Sequence, residues 1–198
     1  MSKRVSTFAG ISKTVLVIAL YCITVGTITV SAYQKTRELV LDRFAEQLTA
    51  VRSNRFKDLS DPNVSLAVLL DRTGLGESGE AYLVDGESIM ASESRFIQGA
   101  TGYIRVDTSA VEKALNREEG TDIIDNYQGV PVLSTWRYIE LDEQPYALVV
   151  EISVDEVLGP VREFGYYLLL VATGLSLVSS LIIYAILRRS RVTTHEHS

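Results

Sequence analysis

Two uncharged apolar runs, Thr14 to Tyr33 and Phe164 to Leu187, bracket a polar stretch long enough to fold by itself. They hold 20 and 24 residues, and a helix needs roughly 20 to cross a hydrocarbon core about 30 Å thick. The expectation is a two-pass membrane chain, with an N-tail over 1–13, a first span over 14–33, a domain over 34–163, a second span over 164–187 and a C-tail over 188–198. So short a tail is too small to bury a core, and any output is expected to pass to another protein.

Charge orients the chain. Between the runs lie 13 basic and 24 acidic residues, a net of −11, whereas the tails carry Lys3, Arg4, Lys13, Arg188, Arg189 and Arg191 against one acid. Basic flanks stay on the cytoplasmic side, so both ends are expected there and the domain outside. Tyr33, Tyr166 and Tyr167 then fall at the outer interface, where an amphipathic ring is well placed. A cleavable signal peptide is the competing reading of the first run, because Val30-Ser31-Ala32 has the small-residue cleavage pattern. Either way the domain is exported. The only cysteine, Cys22, lies within the first run, so no disulfide supports the domain.

Leu41, Phe44, Leu48 and Val51 step along one face of an expected helix over 34–59, either against its own domain or against a second copy. Asp61-Pro62-Asn63 breaks it. Beyond the glycine-rich turn Gly74 to Gly79 the period becomes two, and five strands are predicted: Ala81–Val84, Ser88–Ala91, Thr121–Tyr127, Val130–Leu141 and Pro145–Ile152. Asp85-Gly86 is the expected hairpin turn between the first two. Ser109 to Glu112 and Ser153 to Glu156 read as capping boxes, the first opening a helix over 109–115, the second a helix that Gly159-Pro160 interrupts. The fold class is α+β, an antiparallel sheet with helices on one side.

Gly74 to Val84, Ser92 to Phe96, Asp122 to Ser134 and Ala147 to Ile152 together resemble the membrane-proximal, PAS-like module of Cache sensors, found in bacterial chemoreceptors, sensor histidine kinases and cyclases. Leu48 to Arg52 resembles the start of the long helix in double-Cache receptors. The resemblance implies a five-stranded PAS-like sheet and a sensory function, with a receptor, kinase or cyclase as partner in the membrane. Only about twenty residues separate Arg52 from Gly74, so the large distal lobe of double-Cache receptors is missing.

Arg95, beside Ser94, is the foremost candidate ligand residue, since a guanidinium holds a carboxylate through two parallel hydrogen bonds. Tyr82, Trp136 and Tyr138 would wall that site, and a small carboxylate would be its ligand. The alternative is that Arg95 pairs with an internal acid such as Glu151 or Asp85 and that the aromatics are core. Gly74 to Gly79 satisfies G-x-G-x-x-G, but it precedes a strand where a nucleotide fingerprint opens a helix. His195 and His197 lie in the C-tail, so no zinc spacing or Cys/His nucleophile is expected in the domain, and no cofactor or enzyme activity. Asn63-Val64-Ser65 is a chance sequon, and the acidic domain argues against nucleic acid. The favoured function is an extracytoplasmic sensory module, binding a small ligand or a partner and signalling through the second span to another protein, with a homodimer or a receptor, kinase or cyclase as the expected assembly. The alternative is a non-sensing interaction protein, a receptor stub that associates with a receptor or envelope protein. A small-residue stripe on that span, Ala172, Ser176 and Ser180, is the expected contact with another chain.

Overall fold

The computed structural model describes the backbone of residues 2–193 and the side chains of residues 15–186. The tail charges Lys3, Arg4, Lys13, Arg188, Arg189 and Arg191, and His195 and His197, lie outside the described side chains. The chain divides into two compact units, Met1–Arg37 with Val161–Ser198, and Glu38–Pro160.

In the first unit two helices are long and apolar enough to cross a membrane, each with a fully unburied window of mean hydropathy 2.2. They belong to α1 (Ser2–Leu59) and α3 (Val154–Thr193). Within this unit the Tyr21 hydroxyl lies 3.3 Å from that of Ser179, and a Cβ on Gly165 would meet the Tyr33 ring at 2.8 Å. Ala172, Ser176 and Ser180 line a groove of about 330 Å³ together with Cys22, Gly26 and Thr29. The small-residue stripe therefore faces the first apolar helix of the same chain. Small side chains allow that close approach of two backbones.

The second unit is α+β. Its sheet has four antiparallel strands, β1 (Glu80–Asp85), β2 (Gly120–Asp125), β3 (Pro131–Leu141) and β4 (Gln144–Ser153), in the order β1-β4-β3-β2. The expected strand over 88–91 does not extend into a ladder. It touches the sheet through an isolated bridge from Met90 to Val84, and Ile89 bridges instead to Arg105. The reason lies in the turn before it. Asp85 caps the Glu87 and Ile89 amides with its own carboxylate, each at 2.9 Å, and Ser88 takes φ +64°, so this is a longer side-chain-built loop than a two-residue Asp-Gly turn. The β3–β4 connection, by contrast, is a tight turn with both Asp142 and Glu143 at positive φ.

Helices cover both faces of the sheet, not one. Adjacent residues of a strand point to opposite faces. Arg137 lies 4.0 Å from the Phe56 ring centre of α1, while Trp136 lies under Lys113 of α2 (Ser109–Leu115), 5.1 Å from its ring centre. The stripe on α1 packs on its own domain, with Leu48 and Val51 buried and Leu41 and Phe44 half-buried. Arg52 and Arg55 share that buried face. Arg52 donates to the Trp136 carbonyl at 2.5 Å and Arg55 to the Asp71 carboxylate at 3.1 Å, so each charge enters the core only with a partner.

The caps differ from their sequence signatures. Thr108, not Ser109, caps α2, accepting from the Val111 amide at 3.4 Å. At α3 the Ser153 hydroxyl accepts from Asp155, but the Glu156 carboxylate reaches away from its own helix to the glycine turn. Gly159-Pro160 does not interrupt α3, which continues through Pro160. Proline removes one helical hydrogen bond, which an otherwise continuous helix can tolerate at the expense of a local kink.

Candidate functional site

Alternation on β1 puts Glu80, Tyr82 and Val84 on one face, and on β4 it puts Ala147, Val149 and Glu151 there. Register then fixes a polar row across the sheet: Glu80 opposite Glu151, Glu151 opposite Ser134, Ser134 opposite Asp122. Directly opposite residues have Cβ atoms about 5 Å apart. Asp122 is exposed, but Glu80 and Glu151 are each only 2% accessible and Ser134 is fully buried. Two acids thus lie side by side in the interior.

Each is held by neutral donors. Glu80 accepts from the Tyr127 hydroxyl at 2.7 Å, the Ser94 hydroxyl at 2.9 Å and the Arg95 amide at 3.2 Å. Glu151 accepts from Tyr82 and from the Asn126 side chain, both at 3.0 Å. Tyr82 and Tyr127 pack edge to face, ring centres 5.7 Å apart, which fixes both hydroxyls over the pair. Burial pushes the Glu151 carboxyl up to about 7; the Asn126 bond opposes this and the neighbouring Glu80 charge adds to it. Burial also raises the phenols of Tyr82 and Tyr127, so both remain donors at any physiological pH.

Around the pair the loops interlock. Ser94 accepts from the Phe96 and Ile97 amides, closing the bend that carries Arg95. The Arg95 guanidinium donates to the carbonyls of Gly76 (3.1 Å) and Gly79. The same turn is gripped from the other side by Glu156, whose carboxylate accepts from the amides of Glu77 (2.9 Å) and Ser78 (2.7 Å) and from the Ser78 hydroxyl. Ser78 also accepts from the Ser153 amide at 3.1 Å. Burial pushes Glu156 upward, but these donors outweigh it and hold the carboxyl below its ordinary value. Glycine is required here for two reasons. Gly76 has φ +62° and lies against the Glu156 carboxylate, and a Cβ on Gly79 would strike the carbonyls of Leu75 and Glu151.

Of the residues singled out from sequence, Ser94 and Tyr82 belong to this network directly. Arg95 belongs through its amide and spends its guanidinium on the glycine turn. Trp136 stands on the same face one row along, opposite Val149, and its Nε1 is buried with no hydrogen-bond partner among the described residues, as is the Ser134 hydroxyl. Tyr138 stands apart, half-buried, donating to Glu140 at 3.0 Å under the Arg117 guanidinium. A cleft of about 480 Å³ elsewhere in the domain is lined by Leu66, Leu83 and Tyr146, and its charged lining is Asp61, Glu140 and Asp142. An all-acidic lining repels a carboxylate ligand. Among the described residues, no group of three or more His, Cys, Asp or Glu is placed to hold a metal. No family model matches the chain, and no curated protein matches it.

Proposed function

We propose that the chain is a membrane-anchored sensory module of Cache type, with the Glu38–Pro160 domain outside a bacterial inner membrane and both ends in the cytoplasm. The input acts on the sheet face that carries Glu80 and Glu151, and the output leaves through α3 toward a partner in the membrane. The supporting observation is one continuous hydrogen-bonded path within the domain. It runs from Glu80, the strand neighbour of Glu151, through Ser94 and the Arg95 amide and guanidinium to the glycine turn, and from that turn to Glu156 and Ser153 at the start of α3. An element held by two sites at once is what a two-state switch needs. A PAS-like fifth strand agrees with the position of residues 88–91, bridged to the free edge of β1. The wide acidic excess of the domain and the basic tails support the orientation.

The test is hydrogen exchange on the full chain in lipid nanodiscs. Tyr127→Phe removes one donor from Glu80 and should change amide protection at 74–79 and at 154–158 as well as locally. Tyr138→Phe, outside the path, should leave 154–158 unchanged. Effects of Tyr127→Phe confined to 92–97 and 126–129 would favour a non-sensing interaction protein.

A further inference from the structure

The sensory reading leaves the input unnamed, and the composition of the buried row limits what it can be. Among the described residues, no cation hydrogen-bonds to Glu80 or Glu151. On β1 the acid pair faces Tyr82, on β3 it faces Ser134, and the β2–β3 turn presents Asn126 and Tyr127. From the 92–97 segment come the Ser94 hydroxyl and the Arg95 amide, while the Arg95 guanidinium is turned to the glycine turn. Lys113 of α2 lies over the Trp136 ring. Glu93 is committed elsewhere, to the Gly99 amide and the Thr101 hydroxyl. Two carboxylates in low dielectric with only neutral donors do not both ionise in the ordinary carboxylate range, and the second charge forms only at higher pH. A carboxyl that takes a proton also gains an O–H that needs an acceptor. Ser134 stands directly opposite Glu151, fully buried, its hydroxyl without a partner. It can accept that hydrogen bond.

We propose that Glu80, Glu151 and Ser134 form a proton-binding site through which the acidity around the domain sets the fit of the glycine turn against the first turn of α3. This rests on the sensory reading above and names its input. The proton balance is simple: below the transition the pair holds one proton and one charge, above it two charges. The second charge strains the grip of Tyr127, Ser94 and the Arg95 amide on Glu80, and Arg95 carries that strain to the carbonyls of Gly76 and Gly79. The elevated titration of Glu151 agrees with this assignment.

The chain's single tryptophan, Trp136, stands on the same face and reports on the site. In the full chain in nanodiscs, Trp136 emission should show a one-proton step near neutral pH. Glu151→Gln should remove it from the range between about pH 5 and 9, since a carboxyl beside a neutral amide titrates lower. Glu80→Gln should move the step to lower pH by removing the like charge, and Tyr82→Phe to higher pH by removing a donor to Glu151. Those opposite shifts decide the matter even where Glu151→Gln fails to fold. A wild-type chain without a step, or an unchanged step in both glutamine variants, would overturn the proposal. An environment-sensitive dye on Gly159→Cys in a Cys22→Ser background reads α3, at a position where an added side chain meets nothing within 4 Å. A Trp136 step that the dye follows supports both proposals. A Trp136 step with an unmoved dye supports the proton site and removes the coupling to α3. No Trp136 step removes the proton site and leaves the sensory reading to the Tyr127→Phe test.

Discussion

Glu151→Gln should make the domain more stable at neutral pH and remove most of its pH dependence between pH 5 and 8. The folded domain raises the Glu151 carboxyl from its ordinary 4.5 to about 7, so the folded state binds the proton more tightly than the unfolded chain does. That contribution is complete below the unfolded value, declines as pH rises from 4.5, and is gone above the folded value. At about 1.4 kcal/mol per tenfold change in proton affinity, the wild type loses about 3 kcal/mol across that window. Asp61, Asp71 and Glu156 do not interfere, because their carboxyls are held below their ordinary values and their contributions are lost only at more acid pH. Urea unfolding of the full chain followed by Trp136 fluorescence at pH 5 and pH 8 measures the difference. With a denaturant slope of about 1–3 kcal/mol per molar, the wild-type midpoint should fall by about 1–3 M on going to pH 8. The glutamine variant keeps an acceptor for Tyr82 or Asn126 without a charge to desolvate, and its two midpoints should nearly coincide. Equal pH slopes in both proteins, or a wild type more stable at pH 8, would refute the reasoning.

Arg95→Ala should destabilise the unliganded domain by about 2–3 kcal/mol, the usual loss for charged hydrogen bonds to partly buried carbonyls, and the same urea titration measures it; a change below about 0.5 kcal/mol would return Arg95 to the role of a ligand clamp. Gly79→Ala forces a Cβ onto the carbonyls of Leu75 and Glu151, so a loss of about 3 kcal/mol or more, or failure to accumulate folded protein, is expected. For orientation, a cysteine at the exposed position Asn116 in a Cys22→Ser background should react with a membrane-impermeant thiol reagent in intact cells, and one at Ser198 only after permeabilisation.

Much of the architecture is written locally. The apolar runs, the break at Asp61 to Asn63 and the period-two segments of β1, β2, β3 and β4 each follow from residues within one short window. The acid pair is different. Glu80 ends a glycine-rich turn and looks solvated, and Glu151 sits seventy-one positions later. Only the adjacency of β1 and β4 makes them neighbours. A signal was present nonetheless: Glu80 shares its strand parity with Tyr82 and Val84, as Glu151 does with Val149 and Ala147, so each acid points to an otherwise apolar face. Glu156 misleads for a related reason. Its spacing from Ser153 fits a capping box, yet two amides in the glycine turn, nearly eighty residues earlier, outcompete its own helix end.

The contact between the Ser94 and Tyr127 hydroxyls, 3.0 Å apart and both on Glu80, has a kinetic consequence. A hydroxyl donates and accepts at once, and Tyr127 is half-buried at the edge of the network. When the Tyr127 hydroxyl rotates from Glu80 to Ser94, a proton path opens from the edge of the network to Glu80, the strand neighbour of Glu151, with no strand leaving the sheet. On the proton-site proposal, exchange at Glu80 then needs a hydroxyl rotation and no local unfolding, and a magnetic resonance titration of the glutamates should show one moving line in place of two exchanging ones.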